Sequence, residues 1–298
     1  VIGGCSGLQV GAFDECYRAP DTFSRRLARN LQIILQEECQ LGAVVDPAGG
    51  SWLVESLTRQ LAAKAWALFQ DIERRGGMTS AIRAGYPQAL VEKTAAERIA
   101  AVESRRDGVI GTNLHPNLKE KLFAADPGVA SVRGVGVEPS VPTITPRRRA
   151  EPFEALRRRA EAHLARTGRR PTVYLAGFGP RKQHGARADF SAGFFAAGGF
   201  ETIAGKGLDS PPSAAQAALD SGAPIVVICS TDDTYPALVP PLAQALKAAP
   251  KPPLVVLAGL PAAPELQAQF KTAGVDAFIH LRANCAQLLA TFQDKLGL

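Results

Sequence analysis

The chain has 298 residues, 46% apolar and 21% charged, with a formal net charge of +6 at pH 7. This composition suits a soluble globular protein of one large or two ordinary domains and argues against a disordered chain. No apolar run reaches the ~20 residues that a membrane-crossing helix needs, and the start, VIGGCSGLQV, has neither the basic segment nor the apolar core of a signal peptide. The only methionine is Met78, so we read the chain as processed, truncated or a piece of something longer.

From Cys5 to Phe13 the residues read as one buried strand. Asp21 or Thr22 caps a helix whose apolar positions Phe23, Leu27, Leu31 and Leu35 recur every four residues, ending near Cys39. After the turn DPAGGS comes a long helix with Leu53, Leu57, Leu61, Ala65, Leu68 and Ile72 on one face, stopped by Gly76-Gly77. A short helix over Met78 to Ala84 and another from Tyr86-Pro87 to about Ser104 complete a helical first part. The proline-rich run VEPSVPTITPRRRAEP reads as a surface linker, and a basic helix from Pro152 to Thr167 comes after it.

The remainder alternates. PTVYLAGFG, Phe200–Ala204, PIVVICS, PLVVLAG and VDAFIHL read as strands. Each is succeeded by a helix: Ala186–Ala197, Ser213–Ser221, Tyr235–Ala248, Ala263–Ala273 and Cys285–Lys295. Short β-rich apolar runs separated by amphipathic helices predict a flavodoxin-like, doubly wound α/β domain with a five-stranded parallel sheet. A ligand of such a sheet sits at the carboxyl ends of the strands, at the switch point. The loop after the first strand lies there. A dinucleotide reading of Gly177-x-Gly179 fails, because the third glycine is missing at the required spacing and Pro180 stiffens the turn.

The five cysteines, Cys5, Cys16, Cys39, Cys229 and Cys285, are scattered and form no CxxC pair. They read as reduced thiols of a cytoplasmic protein rather than a disulfide framework or a zinc site. Arginine runs at Arg147–Arg149, Arg157–Arg159 and Arg169-Arg170 read as a solvated linker and helix face, with an acidic partner subunit as the alternative. No aromatic residues interleave them, so nucleic acid is not expected as a partner, nor is a membrane.

Several motifs carry a resemblance. The segment from Asp21 to Thr58, with SRRLARN and DPAGGS, resembles the end of the TIM barrel of the methylmalonyl-CoA mutase family. GGMTSAIRAGYPQ and VIGTNLHP resemble the family's segment just after that barrel. ARADFSAGFFAAGGFE is similar to part of the family's cobalamin-binding domain. The resemblance implies three segments: residues 1–115, the end of the barrel and its succeeding helices; 116–168, a linker with a basic helix; and 169–298, a cobalamin-binding-type domain.

In catalytic members of the family, the loop after the first strand carries Asp-x-His-x-x-Gly. Its histidine binds cobalt, its aspartate orients the imidazole, and its glycine admits the nucleotide tail. Laying Gly185 on the motif's glycine puts Lys182 at the histidine position and Pro180 at the aspartate position. Deprotonating a lysine costs roughly 4–5 kcal/mol at neutral pH, which decides against Lys182 as a ligand. His184 falls two residues past the ligand position with no acid beside it, and is expected to face solvent or start a helix.

The resemblance implies further erosion. Of the Ser-Ser pair after strand three only Ser230 remains, beside Cys229. Strand four ends in Ala258-Gly259 instead of Gly-Gly, and Leu281-Arg282-Ala283 replaces a glycine-rich turn. On the barrel side Gln9-Val10-Gly11 stand where a His-Thr-Asn run is usual. Asp14 and Glu15 are kept, Glu15 at a position that touches the adenosyl group in the family. The resemblance thus implies a structural small subunit that binds no cofactor or metal and carries no catalytic residue. Adenosylcobalamin would sit in a large catalytic partner of a heterodimer. A working mutase chain with a rearranged ligand loop and a stand-alone interaction module are the competing readings.

Overall fold

A computed structural model describes residues 1–15, 18–120, 141–144, 147–205 and 207–298. Cys16 and part of the expected linker (residues 121–140, 145 and 146) lie outside the described residues. The chain divides into two compact units: Val1–Val91 with Lys121–Ile144, and Glu92–Glu120 with Thr145–Leu298.

The first unit is helical: α1 (Thr22–Ile33), α2 (Trp52–Arg74), α3 (Gly77–Arg83) and the start of α4 (Tyr86–Glu103). Asp21 caps α1, its carboxylate accepting from the Ser24 N–H at 2.8 Å, which satisfies a donor that the first turn leaves free. One wide turn, Ile34–Glu38, extends α1. Gly76 and Gly77, at φ 89° and 82°, separate α2 from α3 in a backbone region closed to most side chains. Tyr86 donates to Asp71 at 2.5 Å, and the Arg75 guanidinium lies 3.8 Å from the Tyr86 ring centroid, clamping α4 to the end of α2.

The expected stripes on α1 and α2 exist, but little covers them. Phe23, Leu27, Leu57, Leu61 and Trp66 are exposed, and Trp52 is 91% exposed. Among the described residues of this unit, the buried apolar side chains are Ile72 and Ala81. Cys5 to Phe13 form no strand; they are irregular and open or half-open to solvent, contrary to expectation. The physical reason is pairing: a lone strand has no neighbour to take up its N–H and C=O groups.

The second unit holds α5 (Glu151–Thr167), β1 (Thr172–Gly177), α6 (Arg181–Ala197), β2 (Glu201–Ala204), α7 (Pro211–Asp220), β3 (Ile225–Cys229), α8 (Tyr235–Lys247), β4 (Leu254–Ala258), α9 (Pro264–Ala273), β5 (Ala277–Ile279) and α10 (Cys285–Lys295). All five strands are parallel, in the order β2-β1-β3-β4-β5. The alternation of a pleated strand divides their side chains between two cores. Val173, Leu175, Ile225 and Val227 pack with Phe153, Phe194, Phe195 and Phe292 on one face. Tyr174, Ala176, Val226 and Ile228 pack with Leu242 and Phe270 on the other. Buried Gln293 ties α10 to its neighbours by donating to Leu156 O at 2.9 Å and Gly198 O at 3.0 Å.

The arginine runs find partners within this unit. Arg147 pairs with Glu92, Arg148 and Arg158 with Glu154, Arg149 with Asp107, and Arg159 with Asp294. Arg157 and Arg170 both reach Glu161 at 2.7 Å, with all three side chains mostly buried. Burial opposes the charge on Glu161, but bonds from Arg157 and Arg170 outweigh it and hold the carboxyl below its ordinary 4.5. A depressed carboxylate pKa stabilises the fold above the ordinary value, and the gain fades as pH falls through the folded one. Glu161→Gln is therefore expected to lower the urea midpoint at pH 7. The gap to the parent should narrow steadily below about pH 4.5, the ordinary carboxylate value. A gap of constant size would refute the ionic origin.

Candidate functional site at the carboxyl edge of the sheet

The sheet order reverses between β1 and β3, so the loops after these strands open the crevice where doubly wound folds take ligands. Phe178 N–H donates to Cys229 O at 3.0 Å and Gly179 N–H to Leu208 O at 3.0 Å, stitching the edge together. Gly179 adopts φ 69°, which turns the chain directly into Pro180, the N-cap of α6.

The expected ligand loop is not a loop. The helix predicted to begin at Ala186 begins at Arg181. Pro180 is at the cap and exposed, Lys182 is helical and exposed, and Gly185 is helical and buried. Proline fits here because its extended ψ suits a cap and its missing N–H is not needed. His184 lies in the first turn of the helix, one of its two expected placements, and does not face open solvent. It is half-buried, its Nδ1 is 3.2 Å from Phe178 O, and a Cβ on Gly177 would lie 2.5 Å from its ring. The ring thus packs against the end of β1, with Nδ1–H donating to the carbonyl.

The crevice is furnished by a residue that sequence reasoning missed, Arg187, one turn further along α6. Its guanidinium donates to Ala258 O, to Tyr235 Oη at 3.4 Å and to Asp232 Oδ1 at 2.8 Å. A Cβ on Gly259, where φ is 135°, would collide with Arg187 Nη1. The space left by the glycine at the end of β4 is therefore filled from within. The available signal was spacing: His184, Arg187 and Ser191 recur along α6 at the interval of one helical face.

Ser230 is fully buried and also engaged. Its hydroxyl accepts from Thr234 at 2.8 Å, and its N–H donates to Tyr235 Oη at 3.2 Å. Tyr235 in turn donates to Ala258 O at 2.6 Å, and burial pushes its phenol well above the ordinary value. Burial likewise raises the Cys229 thiol to about 12, so it is an inert neighbour rather than a nucleophile. Beyond Arg187, an open crevice of about 530 Å³ runs between Phe190 on α6 and the turns Gly259-Leu260 and His280–Arg282.

Glu15 belongs to the first unit. It lines an open crevice of about 350 Å³ with Gln9, Gly11, Arg25 and Arg29, and its carboxylate fills the space beside Gly11. Neighbouring Asp14 is buried and bonded to Arg18 at 2.7 Å. Burial opposes its charge, but bonds from Arg18 and Ser24 prevail, so its carboxyl titrates below the ordinary value. Among the described residues no group of three His, Cys, Asp or Glu side chains could hold a metal ion.

Fold and crevice together define a flavodoxin-like α/β domain whose carboxyl edge is occupied by its own side chains, preceded by a helical segment. Residues 1–136 match the family model described as methylmalonyl-CoA mutase. Over 99% of its length the chain is 37% identical to the methylmalonyl-CoA mutase small subunit of Streptomyces virginiae, covering 45% of that protein. Over its whole length it is 34% identical to the small subunit of Porphyromonas gingivalis, covering 46% of it. It is also 38% identical over 99% of its length to a probable small subunit of Mycobacterium tuberculosis, again covering 46%. The chain belongs to the methylmalonyl-CoA mutase family, and it spans about half the length of the curated relatives it matches.

Proposed function

We propose that this chain is part of the small, structural subunit of a heterodimeric adenosylcobalamin-dependent methylmalonyl-CoA mutase. In this reading the large subunit holds the cofactor and interconverts methylmalonyl-CoA and succinyl-CoA. Residues 1–115, 116–168 and 169–298 then correspond to the barrel-derived, connecting and degenerate cobalamin-type parts.

The carrying observation is which side chains stand at the carboxyl edge of the sheet, where the crevice stays open only beyond Arg187. Cobalamin would need an imidazole at position 182, where an exposed lysine stands in the first turn of a helix. It would also need the room beside Gly259 that Arg187 takes. His184 is committed to Phe178 O. The residues present do not fit the cofactor, so no reaction step is assigned to them. The uncovered apolar faces of α1 and α2 support a structural role, because exposed stripes of this kind are covered in an assembled protein. No described helix is long and apolar enough to cross a membrane, and the free thiols Cys5, Cys39, Cys229 and Cys285 fit a cytoplasmic setting.

The test is a titration of the purified chain with adenosylcobalamin and, separately, co-purification with a tagged large subunit. The spectrum should keep the form of the free cofactor, the chain alone should not turn over, and one large partner should co-purify in fixed ratio. A histidine-ligated cobalamin spectrum, or turnover by the chain alone, would favour a catalytic chain with a rearranged loop. Absence of a defined partner would favour a stand-alone module.

A further inference from the structure

Behind the outer crevice lies a second cavity, of about 150 Å³, lined by Arg105, Leu114, Phe194 and Cys285 among others. Phe190, His280 and Leu281 line both spaces, so the two adjoin through these side chains. Arg105 ends the turn after α4 at φ 58°, a conformation that a long side chain rarely adopts. Its guanidinium lies 5.8 Å from the Phe190 ring centroid. Nη1 is buried and has no hydrogen-bond partner among the described residues.

Among the described residues no carboxylate bonds Nη1. Glu103 accepts from Asn284 at 3.0 Å. The Cys285 thiol is pushed by burial to about 12 and stays neutral. His280 is lowered by burial and by Arg282, and is neutral at pH 7. Arg187, in the outer space, is paired with Asp232. A buried N–H without an acceptor is costly, and a half-buried guanidinium that lines a cavity is matched by an anionic acceptor there.

We propose that the two cavities form a site for a small organic acid, its oxyanion head bonded to Arg105 in the inner space and its short apolar body lying between Phe190, Leu260 and Leu281. The site does not depend on the proposed subunit role. It needs no chemistry from the ligand beyond one negative oxygen group and an apolar chain of a few carbons. Carboxylate and phosphate heads share that chemistry, and a matched pair of probes separates them.

The intact chain is titrated calorimetrically with hexanoate, hexyl phosphate, 1-hexanol, hexylamine and inorganic phosphate. One or both of the two acids should bind, with the alcohol and the amine at least about tenfold weaker. Arg105→Met should weaken the acids by about tenfold or more and leave the weak alcohol binding unchanged. Leu281→Trp, at a position 83% exposed, narrows the outer space without touching the core. It should weaken the acids while the melting temperature holds, and it decides the matter if Arg105→Met does not fold. The proposal is overturned if neither acid binds, if hexanol binds as well as the acids, or if both variants bind like the parent. Binding of inorganic phosphate with both acids silent also overturns it.

Discussion

Gly259→Val is expected to destabilise the second unit by about 3 kcal/mol, the upper range for a backbone forced into a region that only glycine populates. Two effects combine. Gly259 has φ 135°, and any Cβ there meets Arg187 Nη1. The two parts separate in a double-mutant cycle with Arg187→Ala measured by urea unfolding. Removing Arg187 relieves the collision but not the backbone strain. The paired change should therefore cost less than the sum of the single changes by roughly 0.5–3 kcal/mol. Strict additivity would mean that the guanidinium does not lodge against Gly259, and with it would go the main support for a crevice closed to cofactor.

Phe195→Ala carries the other large expected effect, about 3–5 kcal/mol, as for other fully buried aromatic deletions. Phe195 has no exposed surface. Its ring is 5.6 Å from each of the Phe194, Phe200 and Phe292 rings, centroid to centroid. The cavity would open where α6, the turn into β2 and α10 meet. The melting temperature of the sheet domain should fall by roughly 10 °C, given 2–4 °C per kcal/mol in domains of this size. Trp52→Ala is the informative contrast. At 91% exposure it should leave the melting of the isolated chain within a degree or so, and under the proposed role it should weaken assembly with the large subunit instead. A drop of equal size in both variants would show that α2 packs against a core of its own.

Much of the architecture was legible because local pattern and final environment agree. Val173, Leu175, Ile225 and Val227 alternate with Tyr174, Ala176, Val226 and Ile228, and these two sets became the two faces of the sheet. The boundaries of α1 to α4 fell near their caps and glycines for the same reason. Two readings failed, each through a missing or unforeseen contact. Cys5 to Phe13 has the composition of a strand but nothing to pair with among the described residues. Arg181 to Gly185 was read as a loop from its glycine and its family position, yet Gly179 at φ 69° and Pro180 at the cap let the helix start at once.

The candidate site divides the same way. The departures from the family pattern expected at Lys182, Cys229 and Ala258 could be read residue by residue, and so could the membership of the mutase family. The element order and the two-faced apolar pattern were likewise contained in the chain, because each depends on residues within a few positions of one another. Which side chain fills the crevice depended on folding. Arg187 reaches a carbonyl 71 residues away and a carboxylate 45 residues away, and Arg105 Nη1 is left without an acceptor among the described residues. Such outcomes belong to tertiary structure because hydrogen bonding and desolvation act over a few ångströms in space, whatever the distance along the chain.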